Sequence, residues 1–153
     1  MYKRHEASKL KSEFWTTFGQ YMSPVPSAEG LPINWINYRT TFKDVFFRLQ
    51  ADQRQASISI SLEQKNPVIR EQFFEKLLTF QNLLHELLQE EWLWQPSFML
   101  EEGKVISRVS RDLDGVSIYQ KDDWPALISF FKPRLIALDQ FWEDARYSFE
   151  ELR

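Results

Sequence analysis

The chain has no cysteine. That excludes disulfides, thiolate zinc sites and cysteine nucleophiles together, and it fits a reducing compartment. Glycine is scarce, four in 153 residues. Little material is left for loops that cradle phosphates or dinucleotides, and no Gly-x-Ser-x-Gly elbow is present. The two histidines, His5 and His85, have no second His at helical spacing, so the zinc-protease pattern is missing. No apolar run approaches the roughly 18 residues of a membrane-spanning helix. The start, Met1-Tyr-Lys-Arg-His-Glu-Ala-Ser-Lys9, lacks the apolar core of a secretory signal, which makes the cytoplasm the expected address. Net charge is −3, so the overall field advertises neither nucleic acid nor membrane. Internal repeats and low-complexity tracts are absent as well.

What is present is a chain long enough for one domain with a real core. Aromatics reach 16%, with thirteen Phe and six Trp, which argues against disorder. The organising stretch is Asp44 to Lys65. Val45, Phe47, Leu49 and Ala51 alternate with polar residues, and so do Ala56, Ile58, Ile60 and Leu62 across a polar turn at Asp52 to Gln55. Pairing Ala51 with Ala56, Phe47 with Ile60 and Val45 with Leu62 puts every apolar residue on one face of a hairpin.

Around it, Leu10, Phe14, Phe18 and Tyr21 predict a helix over 5–22. Pro24, Pro26, Gly30 and Pro32 mark a loop. Trp35 to Thr41 reads as a short strand. Asn66-Pro67 caps a long amphipathic helix over 67–91, with Ile69, Phe73, Leu77, Phe80, Leu84 and Leu87 in its stripe. Trp92–Leu100 and Val105–Ser110 form a second hairpin about Glu101-Glu-Gly-Lys104, and Val116–Tyr119 a last short strand. Asp123 caps a final helix that Pro133 should kink or split. Its stripe runs through Leu135, Leu138, Phe141, Trp142 and Ala145 to Phe149. The expectation is an α+β fold with a mainly antiparallel sheet, covered by the 67–91 helix and the terminal helices.

Three constellations could carry function. On the hairpin's other face the register sets Asp44 opposite Glu63, with Lys65 two residues on and Arg48 and three serines beside them. Facing carboxylates repel unless a cation sits between them. Asp44 and Glu63 could hold magnesium, and Lys65 could activate a water, which makes Asp44, Glu63 and Lys65 a candidate catalytic set. An Asp followed by Glu-x-Lys on such a hairpin resembles the PD-(D/E)XK motif of restriction-endonuclease-like nucleases, whose core order is αβββαβ. The plainer alternative is a solvated face, with Lys43 and Lys65 neutralising the acids and no metal or other cofactor. Second, Arg48, Arg54, Arg108 and Arg111 belong to a basic set with Arg39, Lys43, Lys65 and Lys104, and Arg108 and Arg111 lie beside Trp92 and Trp94, a pattern that can track a nucleic-acid backbone; the plainer alternative is that the aromatics are core and the arginine stems cover the sheet's margin. Third, Trp92, Trp94, Trp124, Phe131, Trp142 and Tyr147 look exposed, which would suit self-association or a protein partner, unless a compact sheet flanked by three helices absorbs them.

The runs Lys43-Asp-Val-Phe-Phe-Arg48, Glu91-Trp-Leu-Trp94 and Gly115-Val-Ser-Ile-Tyr-Gln-Lys-Asp-Asp-Trp-Pro-Ala-Leu-Ile-Ser-Phe-Phe-Lys-Pro-Arg134 resemble the bacterial domain-of-unknown-function family 4268 over nearly the whole chain. The resemblance implies a loose link to nucleic-acid processing and kinship with nuclease folds, since members stand alone or follow a nuclease-like domain. It brings no established activity and no transferable catalytic residues. The leading expectation is a non-catalytic accessory or interaction domain. The rivals are a metal-dependent nuclease, a structural homodimer and a nucleic-acid-binding domain without catalysis, whose affinity would fall steeply with salt.

Overall fold

The alternation over 45–62 forms a hairpin in the expected register. In a computed structural model that describes residues 3–153, β1 (Val45–Ala51) pairs antiparallel with β2 (Gln55–Leu62), Val45 opposite Leu62, Phe47 opposite Ile60 and Ala51 opposite Ala56. Asp52 makes the turn. Its Oδ1 accepts from the backbone N–H of Arg54 at 2.9 Å and of Gln55 at 3.0 Å, the Asx-type bonding that favours Asp in such turns.

A second hairpin, β3 (Leu93–Met99) and β4 (Val105–Asp114), joins the first through β4. The result is a four-stranded, wholly antiparallel sheet in the order β1-β2-β4-β3. The helices are α1 (Arg4–Met22), α2 (Pro67–Leu78), α3 (Gln81–Leu88) and α4 (Trp124–Ala145), with 3-10 turns at Lys121–Asp123 and Arg146–Leu152. The fold is α+β, as the segregated helix and strand patterns require.

The core gathers the inward residues of the sheet with one side of each helix. Val45, Phe47, Ile58, Ile60, Leu62 and Val109 meet Phe14 and Phe18 of α1, Phe73, Phe74 and Leu77 of α2, Leu84 of α3, and Phe131, Leu135 and Trp142 of α4. Asn66 caps α2, accepting from Val68 N at 2.9 Å and Ile69 N at 3.3 Å, with Pro67 at the position where its missing N–H costs nothing.

Several expectations need correction. Residues 35–41 form no strand. Their side chains instead bolt an irregular segment down. The Trp35 indole donates to Val25 O at 3.0 Å, the Tyr38 hydroxyl donates to Asp139 Oδ1 at 2.5 Å, and Thr41 has φ +69°, outside the extended region. Two strands, not three, therefore precede α2. Val116–Tyr119 is not a strand either. It runs back along the first turn, where Gly115 N and Ile118 N donate to Arg54 O and Asp52 O.

The 67–91 helix is two. Thr79 N and Phe80 N bond three residues back, the Thr79 hydroxyl donates to Lys76 O at 2.6 Å, and the Phe80 ring turns in against Phe141 and Phe149. Local side-chain bonding of this kind competes with the helical ladder. α3 then ends at Gln89 in the left-handed conformation. α2 packs on the sheet, whereas α3 packs on α4. Pro133 does not split α4. It lies on the exposed side with Ser129, so the carbonyl freed by the missing N–H can turn to water. Asp123 precedes α4 without capping it, its carboxylate accepting from Ser117 N at 2.9 Å instead. Among the described residues no helix is long and apolar enough to cross a membrane.

Candidate functional site on the outer sheet face

Strand alternation sends Phe46, Arg48 and Gln50 of β1 away from the core, with Ser57, Ser59 and Ser61 of β2 beside them. The register continues this face through Ile106, Arg108, Ser110 and Asp112 of β4 to Gln95 and Phe98 of β3. No helical side chain lines the cavity of about 380 Å³ over Ser59, Ser61 and Glu63. A second cavity of about 750 Å³ continues from it over Ser57 and Asp112, reached by α1 only through Lys11 and Trp15. Leu49, Gln50, Leu100, Glu102 and Arg108 line both, so the two make one trough across the sheet.

Glu63 sits at one end, just past β2, and is buried. Its Oε2 accepts from Arg48 Nε at 2.9 Å and Ser61 Oγ at 2.8 Å, and its Oε1 from Arg48 Nη2 at 3.1 Å and Lys104 Nζ at 3.0 Å. Burial alone would raise the carboxyl's pKa. The hydrogen bonds from Arg48, Ser61 and Lys104 outweigh it and hold the group down to about 2. The bidentate fork of Arg48 is the strongest of these contacts by geometry.

Asp44 does stand opposite Glu63, whose N–H donates to Asp44 O at 2.7 Å. The pairing is between backbones. Asp44 has φ +64°, so the strand's in-out alternation does not extend to it. The cations on Glu63 are Arg48 and Lys104, not Lys43 or Lys65. Lys65 is exposed in the bend beyond β2. Among the described residues no group of three or more His, Cys, Asp or Glu is placed to hold a metal ion.

Of the four arginines read as a nucleic-acid set, Arg48 and Arg108 share the trough. Arg54 is exposed at the β1–β2 turn. Arg111 pairs in register with inward-facing Ile58, so it lies on the opposite face from Arg108 and donates to Glu91 O at 3.1 Å. A spacing of three cannot put two strand residues on one face. Arg48 lies over the Phe46 ring at 3.9 Å and Arg108 over the Phe98 ring at 3.6 Å. Arg108 Nε also donates to Gln95 Oε1 at 3.0 Å. Gln95 and Phe98 had no sequence signal as site residues, and Lys104 stood only in the basic set, with nothing to tie it to Glu63. Lys104 belongs to a Glu-x-Lys that reads as a plain turn, and the β3 bulge between Gln95 and Phe98 sets their facing.

The aromatics read as a self-association surface are mostly interior. Trp92, Phe131 and Trp142 are buried, Trp94 and Trp124 half-buried, and Tyr147 alone of the six is exposed. A further cavity of about 340 Å³ lies against Tyr38, Asp139, Glu143 and Arg146. There Asp139 uses both oxygens to pin the 28–38 segment onto α4, one on the Tyr38 hydroxyl and one on Ala28 N at 2.7 Å. Burial and that carboxylate raise the Tyr38 pKa, so its proton stays on the phenol.

No curated protein and no solved structure matches the chain. The model of the family described as Domain of unknown function (DUF4268) matches residues 10–146. That span covers most of the sequence and all eight helices and strands except the first turns of α1, and the chain belongs to this family.

Proposed function

We propose that the chain is a non-catalytic binding domain that receives a single strand of nucleic acid along the outer face of its sheet. The observation that carries this reading is the pair of arginine–aromatic stacks, Arg48 on Phe46 and Arg108 on Phe98, at the two sides of a serine-floored trough. β1 and β3 are three strand spacings apart, about 14 Å, which suits two or three nucleotides. Aromatic and guanidinium planes stack bases of any sequence, and cations follow the backbone. The buried carboxylate beneath them, Glu63, is already neutralised, so the anionic strand meets no buried unpaired charge there.

Fluorescence anisotropy of a labelled single-stranded oligonucleotide tests this. Binding should weaken steeply with salt and be lost on replacing Phe46 and Phe98 together by Ala. Absence of binding at low salt removes the reading.

A second reading rests on the backbone pairing of Asp44 with Glu63. A metal-dependent nuclease would use Asp44 and Glu63 to hold magnesium and Lys65 to activate water. It requires Glu63 to exchange its two cations for the metal. Calorimetry with magnesium or manganese decides it: uptake abolished by Glu63→Ala supports the nuclease, and no uptake removes it.

A further inference from the structure

We infer that the free edge of the Arg108 guanidinium is a phosphate-binding fork, the point at which a phosphodiester of the bound strand is held. This rests on the strand-binding reading and deepens it.

Arg108 is unlike Arg48 and Lys104. Arg48 and Lys104 are both engaged by Glu63. Among the described residues Arg108 has no carboxylate within ion-pairing distance, and its one hydrogen bond is from Nε to the neutral Gln95 amide. A guanidinium has five N–H groups. One is used, and the four on Nη1 and Nη2 have no acceptor among the described residues. The side chain is nonetheless fixed, by the Phe98 ring below and Gln95 at its side. It is half-buried, and burial pulls its pKa down, with Asp112 the opposing influence.

A fixed and unspent planar fork matches a phosphate's paired oxygens better than a lysine would. Its place supports the same ligand. Arg108 lines both halves of the trough, so a strand running through either must pass it. Ser59, two residues along β2 from Arg108's register partner Ser61, offers a hydroxyl donor to the same anion. Besides Glu63, the carboxylates that line the trough are Asp52, Glu101, Glu102 and Asp112. They repel phosphates and accept from base amino groups, which fixes where along the strand the phosphate sits.

The test uses the full chain with inorganic pyrophosphate and with a labelled oligonucleotide. Arg108→Met keeps an unbranched stem on the face that Arg108 shares with buried Ile106. Arg108→Lys keeps charge without the fork, and Arg54→Ala removes an equal charge outside the trough. Unchanged near-ultraviolet dichroism confirms each fold. Pyrophosphate should shift the Arg108 Nε–Hε resonance in the wild type. Arg108→Met should weaken oligonucleotide binding about five- to tenfold and lower the salt slope by about 0.7. Arg108→Lys should fall between, and Arg54→Ala should change little. An Arg108→Met variant that binds the strand with wild-type affinity and slope overturns the fork and leaves strand binding standing. A pyrophosphate shift without any oligonucleotide binding supports the fork and removes the strand. Neither response removes both.

Discussion

Lys104 Nζ lies 3.0 Å from Glu63 Oε1, a contact across 41 residues of chain that ties the tip of the β3–β4 hairpin to the end of β2. The tip, through Leu100 and Glu102, shares the trough with Leu49 and Gln50 of β1. One ion pair therefore helps set the width of the proposed binding face. The Lys104 side chain is 41% exposed, so its Coulomb gain is screened. Lys104→Ala should cost no more than about 1 kcal/mol in urea unfolding. Glu63→Ala should cost about 1–3 kcal/mol, because Arg48, Ser61 and Lys104 all lose their acceptor. A double-mutant cycle measures the coupling. Additive losses would contradict a direct Lys104–Glu63 interaction.

Acid should expose the same network. The folded carboxyl of Glu63 is held at about 2 against an ordinary 4.5. A depressed carboxyl stabilises the fold fully above its ordinary value, and that contribution fades as pH falls toward the folded value. Wild type should exceed Glu63→Gln by about 1–2 kcal/mol at neutral pH, allowing for solvent screening of Arg48 and Lys104. The gap should close between about pH 4.5 and 2. Urea titrations at stepped pH measure it, and a gap independent of pH would contradict the assignment.

Thr41 is a β-branched residue at φ +69° and is exposed. Such a residue is strained there. Thr41→Gly should raise stability by about 1 kcal/mol, a shift of about 2–4 °C in thermal unfolding for a chain of this length. A lower melting temperature would show that the loop before β1 is relaxed as built.

The loop is held from the other side by Trp142, fully buried on α4, whose indole donates to Thr40 O at 2.8 Å. Trp142→Phe removes the donor from a buried carbonyl and should cost about 1–3 kcal/mol. Trp142→Ala adds a cavity and should cost about 3–5 kcal/mol. Equal losses in the two variants would mean that the hydrogen bond, rather than packing, carries the effect.

How much of this was readable in advance depended on range. The first hairpin, its register and its apolar face follow from period-two alternation and a local Asp turn, both contained in one stretch of chain. The caps at Asn66-Pro67 and the stripe of α1 are equally local. The break at Thr79–Phe80 was hidden, because the apolar stripe continues across it and Phe80 turns inward to meet Phe141 and Phe149, some 60 to 70 residues away. Trp35–Thr41 carries strand-forming residues that the fold uses as anchors to Val25 and Asp139. The outer face showed the same division. That Arg48 shares a face with Glu63 was visible from the hairpin register, but the register pointed to Lys43 and Lys65 as the neutralising cations, and Arg48 takes that role. Lys104 arrives from another hairpin, and the pairing of β2 with β4 brought Arg108 to Ser61, which no spacing within either strand announces.

Chemical-shift mapping of the backbone amides during titration with a short single-stranded oligonucleotide tests the central claim most directly. The account predicts shifts concentrated on Phe46 to Gln50, Ser57 to Ser61 and Ile106 to Ser110, growing weaker as salt is added. Shifts confined to α2 and α3, or no shifts at low salt, would contradict it.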